Sequence, residues 1–295
     1  MTGGGDLSLR IVKISLSWLA ALLIGTAPIH AAERPLIMVS IPPMKYLVEE
    51  IAGDFVDVEV LLPGGASPAT YEPTPRQMVS LDRAQLYLQI GVPFEGPLLA
   101  KAAGLMPDLR IVDCRAGVEL VPVAEGGHSH GAGNLDPHIW LDPQRMMIVA
   151  TTTAEAIQSV DPTAAKAIDR NLDTVHRTLE DADRRAAALL RPLEGRDVLV
   201  FHPAFGYLTR RYGLHQVAVE DEGKAQSARR LATIMRSVGD QGVPAIFVQP
   251  QFSTATAQRV ADALGCELVE IDPLAEDWPA NIQTMAARIA AALEN

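Results

Sequence analysis

The stretch Asp136-Pro137-His138-Ile139-Trp140-Leu141-Asp142 sets one imidazole between two carboxylates, immediately ahead of a segment with helical character. That grouping suits metal ligation. A neutral His ring binds a divalent ion through one nitrogen, and a nearby carboxylate can hold the other N–H and fix the tautomer. A plain turn is the alternative, since Asp-Pro breaks regular structure and Asp142-Pro143 makes a good N-cap followed by Pro at the first helical position. Two further groups lie in the second half of the chain. His202 directly follows the apolar run Val198 to Phe201, and Asp272 directly follows the run from Glu267 to Ile271. In open α/β sheets the ligand crevice lies at the carboxyl ends of the strands, where both side chains would stand. For each alone, a polar residue in a strand-to-helix turn is also an adequate explanation. With His138 they form a two-His, one-carboxylate set, which suits Zn or Mn rather than Ca or Mg.

These groups need a scaffold, and the pattern of the chain supplies one. Leu36 to Ile41 and Val56 to Leu62 are apolar runs flanking a helical pattern that starts at Pro42-Pro43, giving a β-α-β opening. Pro75 to Leu81 has helical character, and Gln85 to Ile90 and Leu109 to Val112 are further strand candidates. Met146 to Val160 forms a helix that stops at Asp161-Pro162, where a new one starts. In the new helix Ile168, Leu172, Val175, Leu179, Ala182, Ala186 and Leu189 alternate steps of four and three, an apolar stripe from Pro162 to Arg191 about 45 Å long. His176 flanks that stripe and is expected in solvent. Between Thr163 and Arg191 there is no Gly or Pro, so the helix is expected to be rigid. Beyond Pro192 the runs Val198 to Phe201, Gln216 to Val219, Ala245 to Val248 and Glu267 to Ile271 repeat the plan without any residue-level repeat. The expected class is α/β: two lobes, each with a mostly parallel sheet flanked by helices, at 32–160 and 193–295, joined by one long helix at 161–192.

Length and composition agree. The 295 residues suggest two domains, and 48% hydrophobic with 21% charged residues is ordinary for a globular chain. A net charge of -11 argues against a nucleic-acid partner, which would need a basic face, and suits a protein that handles cations. Arg10 and Lys13, the apolar run Ile14 to Ile24, and Pro28-Ile29-His30-Ala31-Ala32 follow the order of a secretory signal over residues 1–31. Cleavage is expected after Ala31 or Ala32, an uncleaved anchor being the alternative, and export places the protein in the periplasm. Cys114 and Cys266, in different halves, are expected to be buried and unpaired, and no C-x-x-C spacing signals zinc. The Gly- and His-containing segment 125–134 reads as a surface loop whose His128 and His130 either capture metal weakly or are incidental.

Four stretches carry a resemblance: Tyr71-Glu72-Pro73-Thr74-Pro75-Arg76-Gln77, Asp136-Pro137-His138-Ile139-Trp140-Leu141-Asp142-Pro143, Phe201-His202-Pro203-Ala204-Phe205-Gly206-Tyr207 and Ile271-Asp272-Pro273-Leu274. From Leu36 to Glu294 the chain resembles the zinc and manganese substrate-binding proteins of ABC importers, of the zinc-uptake and treponemal metal-binding type. The resemblance implies two lobes on one long helix with the metal between them, ligands at His138, His202 and Asp272, and delivery by a monomer to a cognate ABC permease. A His in the third ligand place leans toward zinc, with manganese or iron as alternatives. One position departs from the pattern: the family's first ligand is a His two residues before the Tyr of Tyr-Glu-Pro, and here that residue is Ala69. Alanine cannot coordinate, so the fourth place falls to water, to Glu72, or to His128 or His130. Three protein ligands and a water are also the pattern of catalytic zinc. A zinc-dependent hydrolase with Glu72 as base is therefore an alternative class, although no H-E-x-x-H motif is present. A passive periplasmic zinc buffer is another. The reading adopted is a receptor, not an enzyme.

Overall fold

The computed structural model describes residues 34–122, 135–219 and 244–294. The signal segment 1–31 and the loop with His128 and His130 lie outside them. In the first lobe, β1 (Leu36–Val39), β2 (Asp57–Val60), β3 (Leu86–Gln89) and β4 (Arg110–Asp113) form a parallel sheet in the order β2-β1-β3-β4. The central β1 and β3 are nearly continuous in apolar residues because both their faces are covered, while the edge strands β2 and β4 expose alternate or most residues. Around the sheet lie α1 (Pro42–Ala52), α2 (Pro75–Arg83) and α3 (Glu95–Leu105). Pro42 opens α1, where its missing N–H costs nothing. Thr74 starts α2 with a reciprocal capping box: it accepts from Gln77 N, and its own N–H donates to Gln77 Oε1 at 2.9 Å. Helix α3 carries no sequence signal of its own, because Gly96, Pro97 and Gly104 obscure its helical period.

Helix α4 (Pro143–Val160) is capped by Asp142, which accepts from Gln144 N at 2.9 Å. Then α5 (Ala165–Leu190) runs for 26 residues, about 39 Å. It is shorter than the expected span because Pro162–Ala164, capped by Asp161, and Arg191–Leu193 are 3-10 turns. Ile168, Val175, Leu179, Ala182 and Ala186 are buried as the stripe requires, but Leu189 is 38% exposed and Leu190 is buried in its stead. The reason is geometric. A seven-residue repeat drifts about 20° per heptad on a straight helix, so after three heptads the next residue lies nearer the buried face. His176 is not in solvent: it is half-buried, with Nε2 3.2 Å from Met147 O and 3.3 Å from Thr151 Oγ1, tying α5 to α4.

In the second lobe β5 (Asp197–Val200), β6 (His215–Ala218), β7 (Ala245–Val248) and β8 (Glu267–Glu270) are again parallel, in the order β6-β5-β7-β8. This is the topology of the first sheet. Helices α6 (Gly206–Arg211), α7 (Thr254–Leu264) and α8 (Trp278–Glu294) accompany it. Helix α5 packs against α1 and α4 on one side and α8 on the other, so a single apolar core runs through both lobes. A smaller cluster of Leu199, Ile246, Val248, Ala257 and Ala261 lies between the second sheet and α7. Cys114 is buried and Cys266 only half-buried; both are free thiols. Among the described residues no helix is long and apolar enough to cross a membrane.

Candidate metal centre

The segment ahead of α4 holds His138 in one orientation. Asp136, only 1% exposed, accepts through Oδ1 from His138 N at 3.0 Å and faces His138 Nδ1 at 2.7 Å. A carboxylate oxygen only accepts, so Nδ1 carries the proton and Nε2 keeps its lone pair for a metal. Asp136 is itself anchored: its N–H donates to Val121 O at 2.9 Å, and Tyr207 OH donates to its carbonyl at 3.1 Å. Its Oδ2 rests on Gly206, where a Cβ would come within 2.8 Å of that oxygen, so any other residue there would push the carboxylate away from its imidazole. The flanking Asp142 does not share this work. It caps α4 and forms an ion pair with Arg145, whose guanidinium stacks on the Tyr207 ring, so the expected imidazole between two carboxylates is an imidazole on one.

His202 stands just past the carboxyl end of β5. Its ring centroid is 5.8 Å from that of His138, nearly edge-on at 76°, which brings the two lobes' histidines side by side. Phe252 stacks on His202 at 4.9 Å and 28°, and Gln249 Nε2 donates to the His202 carbonyl at 2.9 Å. Asp272 follows β8 and is half-buried, with Oδ1 accepting from Leu274 N and from Gln251 Nε2, each at 2.9 Å. Its turn is docked on the His138 segment. Trp140 Nε1 donates to Pro273 O at 2.7 Å, Trp278 Nε1 to Trp140 O at 2.7 Å, and Asn281 Nδ2 to Asp272 O at 2.7 Å. Lys45 of α1 adds a bridge between the lobes, 2.6 Å from Glu276.

Among the described residues, no group of three or more His, Cys, Asp or Glu side chains is assembled to hold a metal. The structure pairs His138 with His202 and holds Asp272 on a neighbouring turn, its Oδ1 occupied by hydrogen bonds. Glu72 and Ala69 are both exposed. Beside them Tyr71 donates to Gln77 Oε1 at 2.6 Å and sets its ring edge-on to Phe94 at 5.2 Å. Cys114 is no candidate ligand, because burial pushes its thiol up to about 12 and disfavours the thiolate that a metal needs.

Several residues escaped the sequence reading. Glu95, 1% exposed at the carboxyl ends of β1 and β3, accepts from Ile90 N at 2.9 Å, from Gly91 N at 2.6 Å and from Ser40 Oγ. Burial still pushes its carboxyl up to about 7 against those bonds. Gln249, Gln251, Phe252 and Gly206 were missed as well. The strand-end rule that points to His202 and Asp272 applies equally to Gln249-Pro250-Gln251-Phe252 after β7, although amides are weak metal ligands.

The family model described as zinc-uptake complex component A, periplasmic, matches residues 37–294. The high-affinity zinc uptake system protein ZnuA of Yersinia pestis is 26% identical over 282 residues, 87% of this chain and 88% of its own length. The iron-binding protein YfeA of the same organism is 27% identical over 264 residues, 87% and 83% of the two chains. A crystal structure of a ZnuA deletion mutant with zinc bound superposes with a TM-score of 0.82 at 35% identity, covering 88% of this chain and 98% of that one.

Proposed function

From the premise that this chain belongs to the family of zinc-uptake complex component A, we propose that it is a periplasmic solute-binding protein that captures zinc between its lobes and delivers it to an ABC permease. One observation carries this reading: His138 and His202, from opposite lobes, stand side by side at 5.8 Å with a buried carboxylate behind the first. We assign the metal to His138 Nε2, His202 and Asp272, with the protein acting as a monomer. Zinc is cargo here rather than a resident cofactor. Two imidazoles and one carboxylate suit it better than the oxygen-rich sets of harder cations. Manganese and iron are the competing cargoes, one of the relatives being named for iron. The hydrolase alternative asked Glu72 to act as base; an exposed side chain whose neighbour Tyr71 is turned to Gln77 and Phe94 supports capture rather than turnover.

The fourth place, left by Ala69, we assign to water. Closing the site with His128 or His130 would restrain many Gly-rich residues to gain one ligand. Chelator competition on wild type, Ala69→His, and His128→Ala combined with His130→Ala tests this. The expected result is tighter zinc binding by about tenfold or more in Ala69→His and no loss in the double variant. A large loss in the double variant would move the fourth ligand to the loop.

A further inference from the structure

We propose that Gln251 is a positioning residue that makes Asp272 a one-oxygen ligand, and so sets the coordination number of the site and its preference for zinc over manganese. The inference rests on the assignment of His138, His202 and Asp272 as ligands. A carboxylate oxygen offers about two lone-pair directions. Both directions on Asp272 Oδ1 are taken, by Leu274 N and by Gln251 Nε2, each at 2.9 Å. Oδ2 is the oxygen left for a metal.

The two donors differ in kind. The Leu274 N–H is part of the Asp272 turn itself, whereas Gln251 reaches across from the end of β7, 21 residues away in sequence. Its position is fixed by its neighbours. Gln249, 1% exposed, donates to the His202 carbonyl at 2.9 Å, and Phe252 lies flat on the His202 ring at 4.9 Å. Three residues after β7, Gln249, Gln251 and Phe252, thus touch both ligands of the second lobe, one at its ring and backbone, the other at its carboxylate.

The consequence for selectivity follows from the metals' own preferences. Zinc is satisfied by four donors, one atom from each of three side chains plus a fourth ligand, whereas manganese favours an oxygen-rich set of six. Freeing Oδ1 would let the carboxylate bind through both oxygens, raising the coordination number and improving the site for manganese at zinc's expense.

The test uses the full chain with cobalt, zinc and manganese as probes. Cobalt-loaded wild type is expected to give the intense visible bands of four-coordinate cobalt. Gln251→Met, which cannot donate, is expected to give weaker five-coordinate bands and a zinc-to-manganese affinity ratio about tenfold lower. Gln251→Lys, which still donates, should keep the wild-type spectrum, and Gln251→Leu is a second non-donating variant should Gln251→Met fail to fold. An unchanged spectrum and ratio in a folded non-donating variant overturns the role of Gln251. Asp272→Ala is measured alongside. If it loses zinc while Gln251→Met matches wild type, only this inference falls; if it holds zinc as wild type does, the ligand assignment fails and this inference with it.

Discussion

In competition with a calibrated zinc chelator, the His202→Ala protein is expected to bind zinc about a hundred- to a thousandfold more weakly than wild type. Zinc bound by four protein ligands carries about 10–16 kcal/mol, so one ligand is worth about 2.5–4 kcal/mol. With Ala69 in the place where the resembled family carries a His, the proposed set has three protein ligands to share the loss. The ring is also held from both sides, by Phe252 at 4.9 Å and by the neighbouring His138 at 5.8 Å, so its removal loosens the wall as well as the ligand set. His138→Ala should behave alike and leave Asp136 buried without the N–H it now accepts. Unchanged zinc stoichiometry and affinity in His202→Ala would rule the ligand assignment out.

The second large effect concerns stability. Trp140 is fully buried, donates to Pro273 O and accepts from Trp278 Nε1, so it ties the His138 segment to the turn of Asp272 and to the start of α8. Truncating a buried Trp costs about 3–5 kcal/mol, and the Pro273 carbonyl left without its indole donor adds about 1 kcal/mol or more, while Trp278 keeps the backbone carbonyl of residue 140. Trp140→Ala is therefore expected to lower the thermal midpoint by about 10 °C or more. Trp140→Phe, which keeps an aromatic ring but loses the N–H and part of the indole volume, should cost less, about 1–3 kcal/mol. Thermal and urea unfolding check both; a loss below about 1 kcal/mol in Trp140→Ala would mean that the two lobes do not depend on this residue.

Most of the scaffold was legible because its signals are local. Apolar runs marked all eight strands of the described residues, and the Pro42 and Pro75 starts fixed two helices. What failed depended on three-dimensional context. The stripe of α5 was read as a strict heptad, and helical geometry replaced Leu189 with Leu190. His176 was placed in solvent because the sequence does not say which neighbour covers a helix flank; α4 covers this one. Asp136 and Asp142 were equivalent on paper, but only Asp136 lies on the imidazole, since Asp142 is claimed by the cap of α4 and by Arg145. The supporting shell of Gln249, Gln251 and Gly206 was invisible for the same reason. An amide donor or a missing Cβ has meaning only beside the group it positions.

Anomalous diffraction at the zinc edge, on crystals of protein purified without an affinity tag and supplied with zinc, tests the central claim most directly. One strong peak is expected between the lobes, about 2.0–2.1 Å from His138 Nε2 and a ring nitrogen of His202, with one oxygen of Asp272 completing the protein ligands. A peak held at Glu72 or elsewhere without both histidines, or no peak at full zinc supply, would contradict it.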